Sequence, residues 1–159
     1  MRHLLAALLF ALALSAEADS ATYPDPAPRD LCPVCGMVVS KYPHWIATVV
    51  YRDGCAHHFD GAKDMFKYLF EMPRYAKGHS AQDIARIGVT EYYELKRIDA
   101  RTAWYVIGSD VLGPMGHELI PLASRADAEE FMRDHQGKRI LRFEEVKAEL
   151  PGKLDAGRF

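Results

Sequence analysis

Three sulfur-bearing side chains fall within the six residues Cys32-Pro33-Val34-Cys35-Gly36-Met37. Thiolate and thioether donors are soft and select copper(I) over harder ions. Gly36 frees the backbone to turn tightly between them. A fourth sulfur, Met115, stands in the run Gly113-Pro114-Met115-Gly116-His117. A methionine flanked by glycine and proline is badly placed to fill a core and well placed to present its thioether. His117 could add a nitrogen, although a lone histidine beside a strand is more often structural or solvated.

Other chemistries compete for the same residues. Cys32 and Cys35 could be joined as a disulfide in an oxidising compartment. Cys-Pro-x-Cys-Gly is also one knuckle of a zinc ribbon, and the only other cysteine is Cys55. Cys32, Cys35, Cys55 and His57 could then form a Cys₃His zinc site. A thiol-disulfide oxidoreductase is the enzymatic reading. It expects the nucleophilic cysteine to open a helix, which lowers its pKa, and Gly36-Met37-Val38-Val39 after Cys35 does not read as a helix start. On a strand Cys55 and His57 share one face and His58 the other; Cys55 is expected as a small buried residue. Met115 could instead fold onto an apolar patch. Met65 and Met132 fall on apolar helix faces, while His44, His79 and His135 read as surface residues. Phosphate loops, serine nucleophile elbows and paired carboxylates are not evident.

These residues need elements to position them. Trp45 to Tyr51 is a β-rich run, Asp53-Gly54 a hairpin turn, and Cys55 to Phe59 the return strand. Asp60 is placed to cap a helix reaching Glu71, which Met72-Pro73 ends. A short helix over Ser80 to Arg86 and a strand over Tyr92 to Ile98 follow. The second half repeats the order. Ala103 to Ile107 is a strand, Gly108 to Gly116 a long turn, and Glu118 to Leu122 the return strand. Ser124 caps a helix to His135, which Gly137 stops, and Arg139 to Phe143 is a last strand. Glu144 to Leu150 suits a short terminal helix. The reading is α+β, with two ββαβ units in tandem.

The chain of 159 residues is 49% hydrophobic and 26% charged, with a formal net charge of -2. That balance argues against disorder and gives no electrostatic reason to expect nucleic acid. Arg2 and His3 lead an apolar run from Leu4 to Leu14, and Ala16-Glu17-Ala18 offers a small-residue cleavage site. Residues 1–18 therefore read as a secretory signal, and the run is too short to span a bilayer. No cysteine follows it closely, so the usual lipid-attachment signal is missing and a periplasmic location is expected. Residues 19–30 form a proline-rich tether, 31–98 the first unit, 99–150 the second and 151–159 a flexible tail.

The stretches CPVCGMVVS (Cys32 to Ser40), HHFDGAKDMFKYL (His57 to Leu69), AWYVIGS (Ala103 to Ser109) and GPMGHELIPLAS (Gly113 to Ser124) resemble the NosL family, copper accessory proteins of nitrous oxide reductase. The resemblance runs over most of the chain beyond residue 18. It implies an organomercurial-lyase-like fold, one bound Cu(I) and no enzymatic activity or small-molecule substrate. It also implies delivery to the periplasmic component of an ABC-type copper-site assembly complex, part of nitrous oxide reductase maturation. Carried over residue by residue, the motif falls on Cys35, Met37 and Met115, with Cys35 and Met115 as principal ligands and Met37 and His117 as further candidates, while Cys32 is a candidate that the residues alone offer. Two features depart from the family pattern: the lipid-accepting cysteine is missing, and Cys32 completes a Cys-x-x-Cys that could gate the site by redox. Pro33 to Met37 also resembles YHS-type metal-binding modules, but those carry further cysteines where this chain has Phe59-Asp60.

Overall fold

The computed structural model describes residues 22–159. The expected signal segment lies outside the described residues. Nine strands and four α-helices follow in order: β1 (Ala47–Tyr51), β2 (Ala56–Phe59), α1 (Ala62–Phe70), α2 (Met72–Tyr75), β3 (Ile84–Thr90), β4 (Arg97–Asp99), β5 (Trp104–Ile107), β6 (Leu112–Gly113), β7 (Gly116–His117), β8 (Ile120–Leu122), α3 (Arg125–Asp134), β9 (Arg139–Arg142) and α4 (Leu150–Asp155). Two sheets carry the fold, ordered β2-β1-β3-β4 and β8-β5-β9, and every pairing is antiparallel. In each, a central strand lies between its hairpin partner and the strand that follows the helix. The first half adds β4, and the second inserts the small β6–β7 hairpin.

The two-residue period of a strand explains how one core serves both halves. Tyr105 and Ile107 of β5 point into the main core with Val49 and Tyr51 of β1 and Met65 and Phe66 of α1. Val106, on the other face of β5, joins Ile120, Leu122, Ala128 and Phe131 in a smaller core under α3. Phe66 is the hinge of the packing, edge-on to Tyr105 at 5.3 Å and tilted against Phe143 at 5.0 Å. α1 is thereby packed into the core that the two halves share.

Several local expectations are corrected. Ile84 to Thr90 forms a long strand and only Ala81–Asp83 makes a helical turn. The reason is tertiary: β3 pairs with β1 from Tyr51 to Ala47, which buries Ile87 and Val89. Conversely Tyr92 to Glu94 is a turn, because the Glu91 carboxylate accepts the backbone N–H groups of Tyr93 and Glu94 and folds the chain over itself. The long turn after β5 contains β6 and β7, leaving Pro114-Met115 as a two-residue tip. Residues 22–30 are docked along the first sheet: Tyr23 Oη donates to the Ile87 carbonyl at 3.2 Å, and Arg97 pairs with Asp25 at 2.7 Å.

The loose tail and the helix over Glu144 to Leu150 are also replaced. Phe143–Glu145 is a single 3₁₀ turn and the helix is α4, with Pro151 in its first turn. Leu150 and Leu154 are buried in the main core. Asp155 bonds Lys63 and Lys67 of α1 at 2.8 and 2.7 Å. By contrast α3 starts as expected, with Ser124 Oγ accepting the Asp127 N–H at 3.1 Å. Ser124→Ala should lower stability by about 1 kcal/mol in a urea titration, the usual scale of a lost N-cap.

Candidate metal centre

The cysteine loop closes on itself. Leu31 bridges Val38, the Cys32 N–H donates to the Met37 carbonyl at 2.8 Å, and the Gly36 N–H donates to the Cys32 carbonyl at 2.9 Å. Gly36 takes φ +79°, which a residue with a β-carbon adopts only under strain. The closure turns both thiols inward and aims backbone N–H groups at them: those of Cys35 and Val34 at Cys32 Sγ, and that of Met37 at Cys35 Sγ. Such donors favour the thiolate over the thiol.

Facing the loop are two carboxylates. Cys35 Sγ lies 3.2 Å from Asp60 Oδ1, and Cys32 Sγ lies 3.4 Å from Asp64 Oδ2. One ligating atom from each of Cys32, Cys35, Asp60 and Asp64 lies within 4.8 Å of the other three. Asp60 was expected as a helix cap. Instead Gly61 occupies the cap position and the Asp60 side chain turns to the thiols. Asp60 Oδ2 is buried without a hydrogen-bond partner among the described residues. Asp64 Oδ1 also lacks a hydrogen bond, but Lys67 Nζ stands 3.4 Å away. Both cysteines are free thiols. Burial pushes the Cys35 thiol up to about 12, opposed by the Met37 N–H and reinforced by Asp60. Burial raises the deeper Cys32 further still.

The methionine turn is fastened to the same helix start. Lys63, between the two aspartates in sequence, is fully buried and donates from Nζ to the Met115 carbonyl at 2.7 Å. Glu118, just after β7, accepts the Lys63 backbone N–H with both carboxylate oxygens, at 3.1 and 2.9 Å, and the Leu119 N–H at 3.0 Å. Gly61 permits this approach, since a β-carbon there would sit 2.5 Å from Glu118 Oε1. Burial raises Glu118 to about 8 against the pull of those N–H donors and the Lys63 charge. Met115 stays 44% exposed at the tip of the hairpin.

The expected site residues are therefore distributed unevenly. Cys32 and Cys35 stand together, and the Met115 turn is anchored to the helix turn that faces them. Met37 closes the loop through its backbone, with its side chain half-buried. His117 lies outside the thiol-carboxylate cluster, and its ring packs edge-on against Phe159 at 4.8 Å. The Cys₃His arrangement is not formed. His57 donates to or accepts from Tyr68 Oη at 2.6 Å, and Cys55 is exposed at a hairpin tip with Asp53 and His79. Asp60, Lys63, Asp64 and Glu118 were missed. The signal available was the density of charge in Asp60-Gly61-Ala62-Lys63-Asp64, beside residues that otherwise read as core.

Known proteins resemble this chain in sequence and in fold. A curated relative from Stutzerimonas stutzeri, the copper-binding lipoprotein NosL, is 30% identical over 122 residues, covering 76% of this chain. The match spans 64% of that relative's own length. The crystal structure of the copper chaperone NosL from Shewanella denitrificans superposes with a TM-score of 0.66 at 24% identity, covering 79% of this chain and 96% of that one. The solution structure of apo-NosL from Achromobacter cycloclastes gives a TM-score of 0.47 at 22% identity over 66% of this chain and 87% of that one. The mixed helix-and-sheet fold is thus that of the Shewanella protein. A sequence model of NosL matches residues 25–151, and the chain belongs to the NosL family.

Proposed function

We propose that this protein is a periplasmic metallochaperone that binds one copper(I) ion and passes it on for nitrous oxide reductase maturation. The observation that carries the reading is the fastening of both the paired thiols and the Met115 turn to the start of α1, by Asp60 just before it and by Asp64 and Lys63 in its first turn. Cys35 and Met115 are the principal ligands, with Cys32, Met37 and His117 as further candidates. Copper(I) accepts low coordination from soft donors. Cys32 is buried, Cys35 half-buried and Met115 exposed, so the donors grade from floor to rim. A receiving protein can attack from the rim, displacing the neutral thioether before the thiolate. The recipient is the periplasmic component of an ABC-type copper-site assembly complex, and the role is not enzymatic. The matching strand order of the two sheets supports descent from a duplicated ββαβ unit of the organomercurial-lyase type.

A second reading rests on the carboxylates. Two thiolates and two carboxylates gathered within 4.8 Å also suit tetrahedral zinc. Anaerobic titration against a chromophoric copper(I) chelator separates the two: about one copper(I) per chain, retained in excess zinc, supports the chaperone reading. Copper uptake that zinc abolishes supports the second.

Copper affinity should depend on pH with a definite sign. The Cys35 thiol is held near 12 by burial and by Asp60. Below that value the metal must displace a proton, so affinity falls as pH falls. One displaced proton raises the Kd about tenfold for each pH unit lost. Chelator competition at pH 8 and pH 6 should show roughly a hundredfold difference for one thiol, and a flat profile would contradict binding through Cys35.

A further inference from the structure

We propose that Asp53, Cys55 and His79 form a second, solvent-facing site for a divalent cation of the zinc class. One ligand atom from each lies within 4.8 Å of the other two. The site is separate from the cysteine loop: Cys55 precedes β2 and Asp60 follows it, so the strand holds them roughly 16 Å apart at its ordinary rise.

Two loops bring the donors together and both are tied down. In the β1–β2 hairpin the Tyr51 N–H donates to the Cys55 carbonyl at 2.8 Å, and the Gly54 N–H donates to the Tyr51 carbonyl at 3.1 Å. The Cys55 N–H donates to Asp53 Oδ1 at 2.9 Å, which leaves Oδ2 facing His79 Nε2 at 2.8 Å. The second loop is closed by the His79 N–H on the Ala76 carbonyl and joined to the first by the Arg52 N–H on the Asp83 carbonyl. The imidazole is preset by packing. It stacks on Tyr51 at 3.9 Å and 19°, with His57 edge-on at 6.0 Å. His79 Nδ1 is buried with no hydrogen-bond partner among the described residues.

The donor set selects the ion. One thiolate, one imidazole and one carboxylate match the ligand types of zinc, whose ligand atoms in a tetrahedral shell stand about 3.3–3.7 Å apart. Closing from 4.8 Å needs only side-chain rotation at an exposed hairpin tip. Binding releases the Cys55 proton to solvent, His79 Nε2 gives up its hydrogen bond to Asp53 as its proton moves to Nδ1, and the fourth position stays open to water.

Cobalt(II), a zinc stand-in whose thiolate complexes absorb in the near ultraviolet, tests the assignment on the intact protein. Cys55→Ser should remove one equivalent of thiolate-bound cobalt. His79→Ala should weaken that equivalent at least about tenfold, the loss seen even for outer-shell partners. Cys35→Ser should leave it in place. No thiolate-bound cobalt in the parent, or uptake unchanged in Cys55→Ser and His79→Ala, overturns the proposal. Uptake lost only in Cys35→Ser moves the ion to the buried centre and also overturns it, without bearing on copper(I).

Discussion

Cys35→Ser should abolish stoichiometric copper(I) binding, weakening it by at least about a hundredfold, because it removes the accessible soft anionic donor while keeping the loop intact. The serine hydroxyl is nearly isosteric with the thiol and can still donate to Asp60, so the fold should be spared. A hydroxyl is hard and does not ionise at neutral pH, so the copper loses both charge and polarisable sulfur. Cys32 alone cannot replace it: that thiol is buried behind the loop and raised further in pKa. Cys55→Ser is the matched control, since Cys55 lies at the other end of β2. The expected pattern in a chelator competition is loss in the first variant and parent-like affinity in the second.

Lys63→Met should be the most destabilising change near the site, costing about 1–3 kcal/mol, the scale of a buried acceptor left without its donor. The Lys63 ammonium is buried and answers two demands at once: the Met115 carbonyl at 2.7 Å and Asp155 at 2.8 Å. Methionine keeps the volume and removes the charge. The Met115 carbonyl then loses its donor, and α4 loses one of its two ties to α1. Guanidinium denaturation should show a lower midpoint with little change in slope. The folded fraction should also bind copper more weakly, because the Met115 turn is no longer held. Asp155→Asn should cost much less, since that residue is 42% exposed and its charge is screened.

The sequence disclosed what depends on short-range pattern. The β1–β2 hairpin follows from Asp53-Gly54 between apolar runs, α3 from the Ser124 cap, and the cysteine loop from its own glycine. What it hid depends on long-range partners. Ile84 to Thr90 becomes a strand because β1 lies open beside it. The C-terminal segment becomes α4 because Lys63 and Lys67 hold Asp155 and the core accepts Leu154.

The site divides the same way. The candidate soft donors could be read from residue type and spacing. The acidic and basic groups that set them in place could not, because Asp60 reads locally as an ordinary cap. Its turn toward Cys35 appears only when the loop packs on the helix start. Cys55 and His79 were hidden for a related reason. They are 24 positions apart in the chain, and only the folding of β1 and β2 against the loop before β3 makes them neighbours.

Sulfur from both halves of the molecule should meet on a single monovalent ion. X-ray absorption on anaerobically loaded protein reads this directly. The expected spectrum shows copper in the +1 state with a sulfur-dominated shell, and Met115→Ala should lose one sulfur scatterer from it. A shell of nitrogen or oxygen donors, or a sulfur shell unchanged by Met115→Ala, would contradict the account.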